Sequence, residues 1–169
     1  FEDPQQQLNL TRFTQPALLT HEIACFEVYR ELVGNDSQPG AAAGHSLGEY
    51  AALVAAEALT FENALRLVQS RGELMGKYGE GDMLALPLDL DAAKALAEKH
   101  YCQFASCNLP DQNVVGGTVE DIAALAEEMA DLHPRRKAVL LKTEGAFHTY
   151  LMITAARHFR SILDTTEIA

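Results

Sequence analysis

Residues 44 to 50 read Gly44-His45-Ser46-Leu47-Gly48-Glu49-Tyr50, with the serine at the centre of a Gly-x-Ser-x-Gly pattern. This pattern is typical of a sharp strand-to-helix turn that presents a serine hydroxyl as a nucleophile. The flanking residues must be small, because the serine backbone in such a turn is crowded and strained. The amide of Leu47, at the start of the next helix, would donate to a developing oxyanion. So short a pattern also occurs by chance in ordinary loops. Other features of the chain must therefore show whether this serine is a nucleophile.

The composition limits the classes of function. A length of 169 residues with 48% hydrophobic side chains allows one domain, or one domain with an inserted subdomain. There are 13 basic and 24 acidic residues, and the formal charge of −11 argues against binding to nucleic acid or anionic membranes, whose phosphates would be repelled. A role with a small soluble substrate fits better.

The cysteines and the apolar runs bear on location. Cys25, Cys102 and Cys107 are odd in number and lack Cys-x-x-Cys spacing, so neither a disulfide framework nor a metal site is predicted, and a reducing cytoplasm is expected. No apolar run approaches the roughly 20 residues of a membrane span. The chain opens on a polar segment without an initiator methionine, and we expect it to be a fragment or a processed piece.

Hydrophobic periodicity predicts the elements around the serine turn. A helix is expected over residues 15–33 with Pro16 in its first turn, followed by a loop over 34–40. Residues 41–43 are predicted to form a short buried strand that leads into the turn. Helices should follow directly after Ser46 and over residues 61–77.

Beyond Gly81 the pattern changes to short strands that alternate with helices. The order strand-helix-strand-strand-helix-strand is that of a ferredoxin-like unit, which can be inserted in a larger domain. Pro87 should keep the first strand at a sheet edge or end it early. The chain is thus divided into a large subdomain over 1–82 and 143–169 and an inserted one over 83–142. The predicted strands are 83–88, 102–106, 113–117 and 136–142. Helices are predicted over 91–100 and 148–163, and a third is predicted to begin after an N-cap at Thr118.

A serine nucleophile requires a base, and the chain has six histidines. His148 is the best candidate, because it follows a Gly145-Ala146-Phe147 turn where the chain returns to the large subdomain. His45 adjoins the serine, but neighbours on a tight turn point in different directions, so it is expected to support the turn or contact substrate. The others sit where a solvated histidine is usual: His21, His100, His133 and His158.

Arg71 is the other informative charge. By spacing alone it would be a surface residue whose aliphatic stem covers an apolar stripe. If it faces a cleft instead, its planar guanidinium offers two parallel hydrogen bonds to a substrate carboxylate.

Four separated motifs occur along the chain, at residues 14–18 (TQPAL), 44–50, 71–75 (RGELM) and 145–148 (GAFH), the last followed by Leu151-Met152. In this order they resemble the malonyl-CoA:acyl carrier protein transacylases and the acyltransferase domains of polyketide synthases. The resemblance runs from about residue 13 to residue 163. It implies an α/β fold, with an α/β-hydrolase-like large domain that carries a ferredoxin-like small domain.

The resemblance also implies a role for each motif residue. Ser46 would be the acylated nucleophile and His148 its base, in a dyad without an aspartate. Arg71 would hold the free carboxylate of a malonyl group. Further residues near the acyl group would be Gln15, Asn108 in a loop similar to Asn-x-Pro-x-Gln, and Phe147, whose ring favours malonyl over methylmalonyl groups.

The implied reaction moves malonyl from coenzyme A to the phosphopantetheine thiol of an acyl carrier protein, in fatty acid or polyketide biosynthesis, without a metal or cofactor. The chain would be free-standing or part of a multidomain synthase. Carrier proteins are typically acidic, so a chain of charge −11 needs a local basic cluster to contact one. Arg135-Arg136-Lys137 is the candidate, although a solvated strand entry explains this cluster equally well.

The sequence departs from the family pattern in places. Members carry an upstream Gly-Gln-Gly-Ser-Gln segment that completes the oxyanion hole, and late strands with a glutamine that orients the base. Neither is in these 169 residues, so we expect this piece to hold only part of the site. Glu57 and Pro87 stand where glycine is usual, and Thr149-Tyr150 where serine and proline are common.

Three other interpretations stay open. An acyl hydrolase of the same fold would release free acid, although such proteins tend to lack an arginine like Arg71. An inactive docking or scaffold domain would need no reactive serine. An unrelated serine esterase would need an acidic third member, and the aspartates available by order fall in or near the inserted unit: Asp82, Asp89, Asp91, Asp111, Asp121 and Asp131.

Overall fold

The computed structural model of the protein describes residues 2–34 and 39–168. They divide into two compact units, one comprising the residues up to Leu74 and those from His158 on, the other Met75–Arg157. Residues 35–38 of the predicted loop lie outside the described part. Within it, no helix is both long and apolar enough to cross a bilayer.

Six α-helices and four strands are formed by the residues in these two ranges. They are α1 (Thr11–Val33), α2 (Gly48–Ala55), α3 (Phe61–Tyr78), β1 (Asp82–Leu86), α4 (Leu90–Lys99), β2 (Gln103–Leu109), β3 (Gln112–Gly117), α5 (Val119–Leu132), β4 (Val139–Leu140) and α6 (Ile153–Leu163). Short 3-10 helices precede α1 at Gln7–Asn9 and α6 at Tyr150–Met152.

In the first unit, α1 supplies the stripe around which the core is built. Its buried residues recur at intervals of four, which places them on one face: Thr11, Gln15, Leu19 and Ile23. The last two pack in a cluster with Leu47, Leu67 and Val68. This core brings the start of α2 and one face of α3 against α1.

Helix α1 begins earlier than predicted, so Pro16 lies inside it and not in its first turn. Proline cannot donate to the carbonyl one turn back, which usually disfavours an interior position. The turn before Pro16 is nevertheless helical; Thr11 at its start is buried, and the Thr14 hydroxyl donates to the carbonyl of Leu10 at 3.0 Å. Tertiary packing therefore outweighs the local preference of proline.

The predicted buried strand at residues 41–43 is wrong. These residues are exposed, and no strand among the described residues pairs with them. A strand persists only where a neighbour takes its backbone hydrogen bonds, and the strands that the structure describes all belong to the sheet of the second unit. The side chains of Ala41, Ala42 and Ala43 do not by themselves favour a strand strongly enough to form one without a paired neighbour.

The second unit has the predicted order of strands and helices. Its sheet has the order β2-β3-β1-β4, and every neighbouring pair is antiparallel. Strand β1 stops at Leu86, directly before Pro87, as the proline predicts. Strand β4 is shorter than the predicted 136–142, and Arg136 instead donates to the carbonyl of Pro87 at 3.0 Å.

Helices α4 and α5 pack on this sheet, and side-chain caps define where they start. The Thr118 hydroxyl accepts from the Asp121 amide at 3.2 Å, which confirms the predicted cap. The Asp89 carboxylate does the same for the Ala92 amide at 2.9 Å. The main core of this unit consists of Leu84, Leu86, Leu88, Ala93, Leu96, Ala97, Cys102, Val115, Ile122, Leu125 and Met129.

Candidate active site

Ser46 occupies a strained turn between the exposed segment 41–43 and α2. Its φ is 53°, in the left-handed region that a residue with a side chain rarely adopts. A Cβ at Gly44 would lie 1.9 Å from the carbonyl carbon of Gly48, so only glycine fits there. A Cβ at Gly48 would meet no heavy atom within 4 Å. The first glycine of the pattern is therefore required by contact, and the second is not.

Helix α2 starts immediately after the serine. Leu47 is its N-cap residue and is 9% exposed, with its side chain in the core. The amides of Gly48 and Glu49 donate to the carbonyls of His45 and Ser46 at 3.0 and 3.3 Å. The Leu47 amide thus precedes the hydrogen-bonded turns, at the helix end where backbone N–H groups favour negative charge.

Arg71 contacts both Ser46 and Gln15. Its Nη2 donates to Ser46 Oγ at 2.9 Å, and its Nη1 donates to Gln15 Oε1 at 2.7 Å. The surface position that spacing favours is therefore wrong, and the guanidinium lies over the candidate nucleophile. Gln15 is 5% exposed, so one end of this arrangement is anchored in the core.

The residue after the arginine explains this position. A Cβ at Gly72 would lie 2.7 Å from the Thr11 carbonyl oxygen and 2.9 Å from the Arg12 Cα. A side chain there would push α3 away from the first turn of α1. With glycine, the two helices approach closely enough for Arg71 to reach Gln15, one turn further along α1.

Tyr50 completes the surroundings of the guanidinium and was not among the predicted site residues. Its ring centroid lies 5.9 Å from Arg71 Cζ, within the range of a cation–π contact. Burial raises the pKa of Tyr50, and the charge of Arg71 opposes this shift. Burial lowers the pKa of Arg71, against the influence of Tyr50 and Glu49. Tyr50 follows Ser46 by four residues, about one helical turn, and this spacing is the sequence signal that could have identified Tyr50 as a site residue.

His45 lines a groove of the first unit. It is exposed and lines an open groove of about 530 Å³, together with the segment 41–43 and parts of α1 and α2. The predicted role of His45, to support the turn or to contact substrate, stays a prediction.

The other predicted site residues belong to the second unit. His148 is exposed with φ of 62°, and it is one of five non-glycine residues in the left-handed region among the described residues. It precedes the 3-10 helix and does not start α6 as predicted, because the Thr149 hydroxyl caps the turn by accepting from the Leu151 amide at 3.3 Å. Phe147 packs against a small cluster with Met83.

Asn108 lies near the end of β2, before a tight hairpin. Leu109 and Gln112 are register partners, so Pro110 and Asp111 form the connection. The Asn108 side chain is exposed and accepts a hydrogen bond from the Ser106 hydroxyl. Its predicted contact with an acyl group stays a prediction.

The three cysteines differ in burial. Cys102 is buried, and burial raises its pKa to about 11. Its thiolate is therefore scarce near neutral pH. Cys25 and Cys107 are exposed, and Cys25 Sγ lies 3.6 Å from His21 Nε2.

Comparisons with known proteins show which family this chain resembles. The family model described as acyl transferase domain matches residues 1–169. The chain is 41% identical over 177 aligned positions to the malonyl CoA-acyl carrier protein transacylase of Bacillus subtilis, covering 99% of this chain and 55% of that protein. It is 37% identical to the polyketide biosynthesis malonyl CoA-acyl carrier protein transacylase PksC of the same species, covering 96% and 57%.

Solved structures give the same picture. The crystal structure of the malonyl CoA-acyl carrier protein transacylase from Burkholderia pseudomallei matches with a TM-score of 0.89 and 33% identity, over 99% of this chain and 58% of that one. The chain spans about half the length of the curated relatives it matches.

Proposed function

The chain belongs to the acyl transferase domain family, and we propose that the protein transfers a malonyl group from coenzyme A to the phosphopantetheine thiol of an acyl carrier protein. The observation that carries this proposal is the hydrogen bond of 2.9 Å from Arg71 to Ser46 Oγ. A nucleophile and a carboxylate-binding group at this distance suit an acyl group that ends in a carboxylate. The relatives named as malonyl transacylases support it.

The reaction has two halves. In the first, Ser46 Oγ attacks the thioester carbonyl carbon while the imidazole of His148 accepts the hydroxyl proton. The Leu47 amide stabilises the oxyanion, the C–S bond breaks, and coenzyme A leaves as a thiol with that proton. In the second, the carrier thiol gives its proton to His148 and attacks the ester, and Ser46 leaves as a hydroxyl.

The role of His148 rests on its motif and on its strained backbone. Its φ of 62° is a conformation that it shares with Ser46, and residues held in this region are enriched at functional positions, although Gln6, Glu57 and Tyr101 also have it. The Gly145-Ala146-Phe147-His148 motif supplies the second argument. We accordingly assign the base to His148.

Arg71 would select the acyl group. Its guanidinium offers a carboxylate two parallel hydrogen bonds, whereas a neutral acyl group would leave it without this partner. Gln15, His45, Asn108 and Phe147 are proposed to line the acyl pocket. The proposal requires no metal or cofactor.

The finer architecture is part of the same proposal. We assign residues 1–82 and 143–169 to an α/β-hydrolase-like large domain and residues 83–142 to a ferredoxin-like small domain. The sheet order β2-β3-β1-β4 supports the second assignment. The protein would act in the cytoplasm, alone or within a multidomain synthase, in fatty acid or polyketide biosynthesis.

Intact-mass measurement of the full-length protein tests the reaction. After brief exposure to malonyl-CoA we expect a malonyl adduct that Ser46→Ala lacks, and a holo carrier protein should then remove it. Arg71→Ala should reduce malonyl loading by roughly tenfold or more, with acetyl loading from acetyl-CoA unaffected. Preferential acetyl loading would contradict the role of Arg71. Release of malonate faster than carrier loading would indicate a hydrolase.

A further inference from the structure

Gln15 is one of two buried polar residues on the core-facing stripe of α1, and Thr11 is the other. Gln15 is 5% exposed on α1, four residues before the fully buried Leu19. A buried amide is costly unless it is hydrogen-bonded. Its Oε1 accepts from Arg71 Nη1 at 2.7 Å, across 56 positions of the chain. The polar side chain is therefore placed where the stripe meets the guanidinium.

We propose that Gln15 is a specificity-determining positioning residue, which holds one Nη of Arg71 so that the other faces the acyl group on Ser46. This inference rests on the proposed function. It assigns the selectivity for a carboxylate to a pair, Arg71 and its anchor, and not to the arginine alone.

The geometry explains why an anchor is needed. An arginine side chain has several rotatable bonds, so a single contact does not fix the plane of its guanidinium. Gln15 fixes one end of the plane, and the Tyr50 ring lies 5.9 Å from Arg71 Cζ. The remaining Nη2 then reaches Ser46 Oγ at 2.9 Å. A carboxylate arriving at Ser46 meets a guanidinium that is already oriented, which lowers the entropic cost of binding.

The chemistry of the anchor also matters. An amide oxygen accepts the hydrogen bond without a negative charge, so the positive charge of Arg71 stays available for the substrate. A glutamate at position 15 would accept equally well but would compete with the acyl carboxylate. Gln15→Met removes the hydrogen-bond acceptor for Arg71, whereas Gln15→Glu keeps an acceptor but neutralises the positive charge of Arg71. Comparing the two substitutions therefore separates these two effects.

The first measurement compares loading of Ser46 in full-length variants. Gln15→Met keeps the length and helix propensity but removes the acceptor. We expect KM for malonyl-CoA to rise roughly tenfold, with a smaller change in kcat and no loss of acetyl loading. The matched control is Leu19→Met, one turn along the same stripe, which should retain the wild-type preference. An unchanged malonyl-to-acetyl ratio in Gln15→Met would overturn the proposal.

Two further variants test whether Gln15 acts through Arg71. Gln15→Glu should lower malonyl loading more than Gln15→Met does, because it also neutralises the guanidinium. In an Arg71→Ala background, Gln15→Met should have no further effect on the ratio. Additive effects of the two substitutions would show that Gln15 acts independently and would overturn the positioning role.

A spectroscopic readout separates this inference from the proposed function. In side-chain 15N NMR of the full-length protein, a held guanidinium gives distinct Nη signals for Arg71, assigned by their loss in Arg71→Lys. We expect them to merge in Gln15→Met and to persist in Leu19→Met. Persistence in Gln15→Met would overturn the anchor even if malonyl loads normally. If the wild-type protein loads no malonyl, while its Arg71 signals are distinct and merge in Gln15→Met, the proposed function alone is contradicted.

Discussion

Ser46 has a backbone conformation that its side chain disfavours, and its neighbours impose it. A non-glycine residue at φ of 53° costs of order 1–3 kcal/mol. Leu47, the next residue, packs in the core, and Gly44 approaches the backbone of Gly48 closely. The strained conformation places the hydroxyl where Arg71 contacts it.

The two glycines of the serine turn should respond differently to substitution by alanine. Gly44→Ala places a Cβ 1.9 Å from a backbone carbon, so we expect the free energy of unfolding to fall by about 1–3 kcal/mol or more, with loss of acylation. Gly48→Ala meets no atom within 4 Å and should keep its stability or gain up to about 1 kcal/mol, because alanine favours helix.

Urea unfolding of both variants checks this pair. Equal destabilisation by the two substitutions would show that the turn is limited by something other than the contact at Gly44.

At the scale of helices, the crossing of α1 and α3 positions the arginine. The Gly72 Cα lies against the backbone of Thr11 and Arg12, and this contact lets the neighbouring Arg71 reach Gln15. The sequence neighbours Arg71 and Gly72 thus have linked roles: one carries the charge and the other sets the distance between helices.

Gly72→Ala should therefore affect both stability and selectivity. Its Cβ would lie 2.7 Å from the Thr11 carbonyl oxygen, so we expect a loss of about 1–3 kcal/mol and a lower malonyl-to-acetyl loading ratio. The control is Gly76→Ala on the same helix, whose nearest contact is a Glu144 carboxylate oxygen at 3.2 Å, part of a flexible side chain.

Thermal unfolding and intact-mass loading of the two variants provide the comparison. A Gly72→Ala protein with wild-type stability and selectivity would argue against the helix crossing as the cause.

At the scale of the whole molecule, charge constrains the partner. The formal charge is −11, so an acidic carrier protein would be repelled at long range unless it meets a basic surface. Arg135, Arg136 and Lys137 are exposed and line an open groove of about 320 Å³ with His133 and Pro134. We propose this basic cluster as the surface that would contact an acidic carrier protein.

Replacing all three residues of the basic cluster with alanine in the full-length protein should raise KM for the carrier protein by roughly tenfold, and added salt should reduce the difference. Self-acylation by malonyl-CoA should not change. The charge-matched control replaces Arg30, Arg157 and Arg160, which are basic residues outside the cluster. The KM for the carrier protein is measured by steady-state kinetics for both triple variants. If both raise this KM equally, the effect comes from net charge and not from a docking surface.

Much of the fold was predictable, because the decisive signals are local. The Thr118 cap, the end of β1 before Pro87 and the order of elements in the second unit all depend on residues a few positions apart. The Gly-x-Ser-x-Gly pattern likewise predicts a strained turn at Ser46, and the structure has one, with φ of 53° and no room for a Cβ at Gly44.

The tertiary structure decided what depends on distant parts of the chain. The position of Arg71 is set by a partner 56 positions away, so helical spacing favoured solvent where the structure has a contact with Ser46. Residues 41–43 form no strand, because pairing depends on a neighbour and not on the side chains of the segment. Sequence patterns reflect the conformational preferences of residues a few positions apart. A hydrogen bond between distant residues, or the crossing of two helices, forms only when the chain packs and brings those segments into contact.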